Sequence, residues 1–304
     1  MIASFSDMMQ KVKQNGPMRL ACAAAEDEAS LCALQQAEEA GIAVPILLGD
    51  PQKIGALMEE HHICFKSATV IPCENMQQSC EKAVAAVKNG DADFLMKGLV
   101  DTSIFLKAIL NKERGLPVHG LLSHVMTFDT CGAYHKLAIT SDGGMVPYPQ
   151  LEQKQGIIKN ALQVARALEI EEPKVSVLCA KEKVNPKMPA TVDAAALKQM
   201  GEQGVFGDNV IVEGPIALDL AVSKKAAEIK SFFSPVCGET DIFIFPNIEA
   251  GNIMGKTFIS IYDALAAGVV VGCSVPIVMC SRSDSDKNKL YSIAMGSLMA
   301  ARSL

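Results

Sequence analysis

The sequence predicts an α/β fold, mostly parallel β-structure covered by helices, arranged as two lobes or one large domain. Three observations carry that prediction. Strand-like and helix-like runs alternate almost throughout, the signature of βαβ units, because parallel strands need a crossover between them. The chain has 304 residues, 49% hydrophobic and 20% charged, which is ample for a sizeable core. The alternation breaks in only two places, near 121–140 and 269–280, where two strand-like runs follow each other directly.

In order, "RLACAAA" (19–25) reads as a strand and "EDEASLCALQQAEEAG" (26–41) as a helix closed by Gly41. "AVPILLG" (43–49), "SATVI" (67–71) and "ADFLMKG" (92–98) follow as strands, separated by helical patterns at 52–62 and 75–89. "DTSIFLKAILNK" (101–112) is a helix with Asp101 or Thr102 at its N-cap, and Ile104, Ala108, Leu106 and Leu110 at helical spacing. "LLSHVMTF" (121–128) and "YHKLAIT" (134–140) are two strands without an intervening helix, hence antiparallel. The second half continues as helix 151–169, strand 174–180, helix 191–203, strand 209–214, helix 216–229, strand 241–246 and helix 256–267. Two short strands, 269–273 and 275–280, precede a final helix from about 285.

Bulk properties exclude several classes of protein. A net charge of −6, a pI near 5.5 and the lack of any Lys/Arg block give no nucleic-acid footprint. Residues 1–17 lack the apolar core of a signal peptide. The longest uncharged run, 264–281, is marginal for a membrane span and is interrupted by Gly268, Gly272 and Pro276. Ten cysteines are present without a C-x-x-C, most inside apolar runs, the usage of reduced core residues in a cytoplasmic protein. None of the five histidines has metal-ligand spacing.

Ligands of parallel α/β folds gather beyond the carboxyl ends of strands. That directs attention to Lys97-Gly98, Ser123-His124, 140–149, Gly214-Pro215, 246–252 and 281–288. The stretch "DIFIFPNIEAGNIMGKT" (241–257) imitates a phosphate loop, ending in Gly255-Lys256-Thr257. Only three residues separate Gly251 from Gly255, where a phosphate loop has four, so the ring of N–H groups differs. "SDGGM" (141–145) lacks the dinucleotide spacing and reads as a turn. His124 is open to two readings, a hydrogen-bonded core imidazole or a catalytic one. No cysteine sits in a nucleophile signature. In "VPIVMCSRSDSDKNK" (275–289) a buried strand delivers Ser281 and Arg282 to its carboxyl end, and Asp284 and Ser285 suit a helix start. Such a loop either binds phosphate and an oxyanion, through Arg and Ser, or is a solvated cap.

"FPNIEAGN", followed some thirty residues later by strand-"SR", resembles the phosphate acetyl/butyryl transferase family. "MKGLVDTSIFLKAIL", "LSHVMTFDT", "LEQKQGIIKNA", "VEGPIALDLAVS" and "VPIVMCSRSDS" resemble its butyryl branch, from about Met96 to the C-terminus and more weakly before it. The resemblance implies two α/β lobes, related to isocitrate and isopropylmalate dehydrogenases, with the active site in the cleft. It implies a discontinuous first lobe, 1–140 with 275–304, and a second lobe, 141–274. It also implies reversible transfer of butyryl from coenzyme A to phosphate by a homo-oligomer; the Ser-Arg loop and the lack of a nucleophile signature point to direct transfer in a ternary complex, and the cysteine usage to the cytoplasm. Acyl-CoA and phosphate would be substrates, with no permanently bound cofactor, no metal, no nucleic acid and no membrane.

By that resemblance Ser281 stabilises the transition state, and Arg282 binds substrate or phosphate. Lys107 stands where the acetyltransferases carry a substrate-contacting Arg; it keeps the charge but loses the bidentate fork. Ser123 and Asn252 are further substrate or phosphate contacts, while Pro246, Glu249, Gly251, Gly214 and Pro215 line the cleft. The acetyltransferases place a general-base Asp seven residues after the Ser. Here that residue is Asn288, which cannot take a proton, so Asp284 or Asp286 is the base or none is needed. "FPNIEAGN" would be a cleft-lining turn, with Gly255-Lys256-Thr257 opening the next helix. Other readings are the same chemistry on acetyl or branched acyl groups, a metal- and NAD-dependent hydroxy-acid dehydrogenase, and a non-catalytic CoA-binding protein.

Overall fold

The computed structural model describes residues 1–130, 132–281 and 284–302. In chain order the elements are α1 (Phe5–Asn15), β1 (Met18–Ala23), α2 (Glu28–Glu39), β2 (Ala43–Gly49), α3 (Pro51–Glu60), β3 (Thr69–Pro72), α4 (Met76–Lys88), β4 (Phe94–Lys97) and α5 (Thr102–Ile109). There follow β5 (Val118–Asp129), β6 (Ala138–Ser141), α6 (Leu151–Ala167), β7 (Lys174–Leu178), α7 (Pro189–Glu202), β8 (Ile211–Ile216), α8 (Leu218–Val222) and α9 (Lys224–Ile229). The chain closes with β9 (Ile242–Ile244), α10 (Ile248–Tyr262), β10 (Leu265–Cys273), β11 (Ile277–Val278) and α11 (Asp286–Ala301).

Two compact units result. One comprises Phe5–His119 with Ala267–Leu304, the other Met1–Ser4 with Gly120–Ala266. The chain therefore changes unit at 4/5, 119/120 and 266/267, where the resemblance implies changes at 140/141 and 274/275. Strand pairing is the reason. β5 pairs with β6, and β6 with β9 through Ile139↔Ile242, which carries 120–140 into the second unit. β10 pairs with β11 through Val269↔Val278, which holds it in the first.

In the first unit the strand order is β3-β2-β1-β4-β11-β10, parallel except for the β10–β11 pair. The C-terminal segment thus returns to the N-terminal sheet, with Ile277 and Val278 of β11 in parallel register with Leu95 and Met96 of β4. α11 is buried along almost its whole length, and its small residues explain how. A Cβ on Gly296 would come within 2.8 Å of Val278 and 2.9 Å of the Phe94 ring, so glycine lets the helix lie against the sheet. Residues 5–15, for which the sequence gives no element, form α1. Phe5, Met8 and Val12 make its buried face, and Phe5 stacks on Tyr291 of α11 with centroids 4.6 Å apart.

In the second unit the order is β5-β6-β9-β7-β8; β5 and β6 are antiparallel, as their direct succession predicts, and the other pairs are parallel. Phe128, Ile216, Leu220, Phe243 and Phe245 contribute to its core. Three elements differ from the sequence reading. The helix expected at 216–229 is two short helices, because Ser223 leaves helical geometry and its hydroxyl caps α9 by accepting Ala226 N–H. β8 extends to Ile216. α10 begins at Ile248, eight residues before the expected 256, because the Asn247 side chain caps it by accepting Ala250 N–H at 3.1 Å. Among the described residues no helix is long and apolar enough to cross a membrane.

Candidate active site

The parallel pairing of β11 with β4 fixes the first unit's polar centre. It brings the chain leaving β11, Cys280-Ser281, beside the chain leaving β4, Lys97-Gly98. The β4 turn is locked onto β1: Gly98 N–H donates to Ala23 O and Leu99 N–H to Ala24 O, each at 2.8 Å. Only glycine fits, since a Cβ on Gly98 would stand 2.2 Å from Ala24 O. Lys97 bends over this turn and its ammonium donates to Gly98 O at 3.2 Å and Val100 O at 3.0 Å. A cavity of about 120 Å³ opens here, with Asp27, Ser30, Lys97, Cys280, Ser281 and Lys289 among its walls.

Ser281 is exposed and tied to Asp284. Its N–H donates to Asp284 Oδ2 at 2.7 Å, and Asp284 N–H donates to Ser281 O at 3.1 Å. Ser285 then caps α11, accepting Asn288 N–H at 3.3 Å. Asn288 is 5% exposed, inside the first turn. Lys289, equally buried, donates from Nζ to Asp284 O and so ties the turn to the helix behind it. Cys280 keeps partial contact with solvent, yet burial pushes its thiol up to about 11. Arg282 lies outside the described residues.

Ser281 and Asp284 therefore come together as the sequence suggests, and Lys107 does not join them. It is exposed on α5, in a groove of about 690 Å³ against α4 whose walls include Lys82, Lys88 and Arg114. Lys97 and Lys289 carry charge to the Ser281 cavity instead. The sequence marks Lys97-Gly98 as the end of a strand, but gives no sign that Lys97 and Ser281 share one cavity; that comes from the β4–β11 pairing.

The remaining candidates belong to the second unit. Gly143 of the "SDGG" turn and Gly251 of α10 meet backbone to backbone: a Cβ on Gly251 would lie 2.5 Å from Asp142 O and 2.8 Å from Gly143 Cα. Asn252 Nδ2 donates to Gly143 O at 3.1 Å, and Tyr148 Oη–H donates to Glu249, which raises the Tyr148 pKa. Asp142 organises the turn, accepting Gly144 and Met145 N–H groups on Oδ1 and His124 N–H on Oδ2. "FPNIEAGN" is accordingly the start of α10, and Glu249, Gly251 and Asn252 are helical. Pro246 borders an apolar cavity of about 500 Å³ beyond the ends of β7 and β9, with Leu178, Phe245 and Met254.

Three placements correct the sequence reading. Gly214 and Pro215 lie within β8 and are buried; a Cβ on Gly214 would sit 2.9 Å from Val177 Cβ of β7 and 3.1 Å from Ala194 Cβ of α7, so the glycine serves packing against strand and helix and lines no open loop. Ser123 is fully buried, its hydroxyl accepting Asn160 Nδ2–H at 2.9 Å. Gly255, Lys256 and Thr257 lie mid-helix, where Thr257 Oγ1 donates to Ile253 O at 2.8 Å. They neither open a helix nor cradle a phosphate. Among the described residues no cluster of three or more His, Cys, Asp or Glu could hold a metal ion.

The Ser281 turn after β11, Lys97 at the carboxyl end of the adjacent β4 and Lys289 in the first turn of α11 thus line one small polar cavity at the carboxyl ends of a parallel sheet, the place where α/β enzymes bind their ligands. The chain belongs to the phosphate acetyl/butaryl transferase family, which it matches over residues 73–297, and it is an acyltransferase. It is 41% identical over 300 residues to the phosphate butyryltransferase of Clostridium acetobutylicum, covering 99% of each chain. It is 37% identical over 296 residues to the phosphate acetyltransferase of Thermotoga maritima, covering 97% of this chain and 100% of that one. Among solved structures, a branched-chain phosphotransacylase from Enterococcus faecalis superposes with a TM-score of 0.81 at 28% identity, over 93% of this chain and 99% of that one.

Proposed function

We propose that the protein exchanges the acyl group of butyryl-CoA between coenzyme A and phosphate, by direct transfer at the Ser281 turn. The observation that carries the choice of acyl group is the 41% identity, end to end, with a phosphate butyryltransferase. In the thiolysis direction the CoA sulfur attacks the carbonyl carbon of butyryl phosphate, and the carbonyl oxygen takes up negative charge facing Ser281. The C–O bond to phosphorus then breaks, and the proton lost by the thiol ends on the released phosphate. Ser281 stabilises the oxyanion and Arg282 holds the departing phosphate. Lys107 contributes a substrate-binding cation from the α4–α5 groove. No acyl-enzyme forms, which agrees with a Cys280 thiol raised to about 11. Asp284 braces the Ser281 turn.

On this reading the enzyme is cytoplasmic and homo-oligomeric, and acyl-CoA and phosphate are substrates, with no bound cofactor. The free thiols of the described cysteines support a reducing compartment. The test is phosphate-dependent release of free thiol from butyryl-CoA, run beside acetyl-CoA and isobutyryl-CoA. Fastest release from butyryl-CoA, and only with phosphate, is expected. Faster release from acetyl-CoA or isobutyryl-CoA would reassign the acyl group. Release without phosphate would make the protein a thioesterase.

A further inference from the structure

The cavity beside Ser281 holds a cation to which the acyl-transfer reading gives no role. Lys97 is the last residue of β4, in register with Ala23 of β1, one position beyond the Met96↔Val278 pair with β11. It therefore emerges between β1 and β11, at the level where the chain leaves β11 towards Ser281. Gly98 and Val100 carbonyls hold its ammonium, so a four-carbon chain that would otherwise wander is fixed before any ligand arrives.

Among the described residues, the cavity is lined by Lys97 and Lys289, whose ammonium groups donate to backbone carbonyls at its edge, by Ser30 and Ser281, and by the acidic residue Asp27. The carboxylate is engaged as the cap of α2, with Oδ2 accepting both N–H and Oγ–H of Ser30. At about 120 Å³ the cavity has room for about four waters at ~30 Å³ each. That suits a tetrahedral oxyanion and is far below the ~300 Å³ or more of a nucleotide-sized pocket.

We propose that Lys97 binds the phosphate that is transferred, as inorganic phosphate in one direction and as the acyl phosphate's phosphoryl group in the other. The proposal rests on the acyl-transfer reading, and it makes Lys97 a catalytic residue for the anion, separate from the binding of CoA. A compact ammonium is well matched to such an anion, because it neutralises charge on whichever phosphate oxygen faces it. It does so without imposing a bidentate geometry on a group that must arrive and leave.

The test is steady-state kinetics of Lys97→Gln with phosphate and butyryl-CoA each varied. The phosphate KM should rise by about 10- to 100-fold, the loss of one charge-assisted hydrogen bond, while the butyryl-CoA KM stays within about twofold. Lys97→Arg should recover part of the loss. A phosphate KM that does not move, or both KM values rising together, overturns the proposal. As a check independent of variant folding, amine-reactive labelling of Lys97 in the wild type should slow as phosphate is added; labelling indifferent to phosphate overturns it as well. If the wild type releases no thiol from any acyl-CoA, the acyl-transfer reading fails. Calorimetric titration with phosphate then decides on Lys97: binding lost in Lys97→Gln supports the site, and equal binding or none in both proteins removes it.

Discussion

Ser281 and Asp284 hold each other through two hydrogen bonds, Ser281 N–H to Asp284 Oδ2 at 2.7 Å and Asp284 N–H to Ser281 O at 3.1 Å. A carboxylate spent on a backbone N–H shapes the turn, and its oxygen is the part that matters. Asp284→Asn keeps an oxygen acceptor at the same reach and should retain turnover within about tenfold, whereas Asp284→Ala frees the turn and should lower kcat by about 10- to 100-fold. Steady-state rates of the two variants decide the matter. If Asn proves as damaging as Ala, Asp284 is the proton acceptor and not a brace.

Two glycines of α10 should answer to alanine with opposite signs. Gly251 touches the Gly143 turn so closely that an added Cβ meets Asp142 O at 2.5 Å. Gly251→Ala should cost about 1–3 kcal/mol, read as a lower denaturant midpoint. At Gly255 the nearest atom is Phe128 Cζ at 3.6 Å, an ordinary contact in a helix interior. Gly255→Ala should be neutral or stabilise by up to about 1 kcal/mol, with activity intact. Loss of activity there would restore the phosphate-loop reading of Gly255-Lys256-Thr257.

That second pair shows where sequence patterns mislead. The lack of a helix between two strand-like runs identifies β5 and β6 as an antiparallel pair, and the family resemblance implies that the Ser281 strand stands beside the N-terminal sheet, where β11 pairs with β4. The first follows from local hydrophobic runs, the second from the family resemblance alone. The start of α10 follows from neither: Gly251 and Gly255 look like loop glycines, and only the Asn247 cap and the close approach of Gly143 reveal that the helix has already begun. Gly214-Pro215 misleads for the same reason, since packing against Val177 and Ala194, not a turn, demands the glycine. The grouping of Lys97 with Ser281 joins residues 184 positions apart, and no local pattern encodes it.

Acid should weaken the second unit through Glu239. Its hydrogen bond with Lys224, together with His135 and the charge of Lys136, lowers its pKa from 4.5 to about 2 against the opposing effect of burial. A carboxylate depressed in the folded state stabilises it fully above the unfolded value, and that contribution is lost as pH falls from about 4.5 towards about 2. Denaturant midpoints measured over this range should fall less steeply for Glu239→Gln than for the wild type. Equal slopes would show that the pair with Lys224 does not persist in solution.

Cys280 adjoins the Ser281 turn and has the position, but not the chemistry, of a nucleophile. Burial raises its thiol to about 11; the charge of Asp284 pushes the same way, while a hydrogen bond with Ser292 and the charges of Lys289 and Lys97 oppose it. At pH 7 the thiol stays protonated, and a protonated thiol neither competes as a nucleophile nor is alkylated readily. Cys280→Ala should therefore keep phosphate-dependent thiol release within a few-fold of wild type. Iodoacetamide at pH 7 should mark the exposed Cys64 well before Cys280, as read by peptide mass. Butyryl found covalently on Cys280 after incubation with butyryl-CoA would replace direct transfer with a two-step route, and would require a charge at the turn that lowers the thiol pKa once substrate binds.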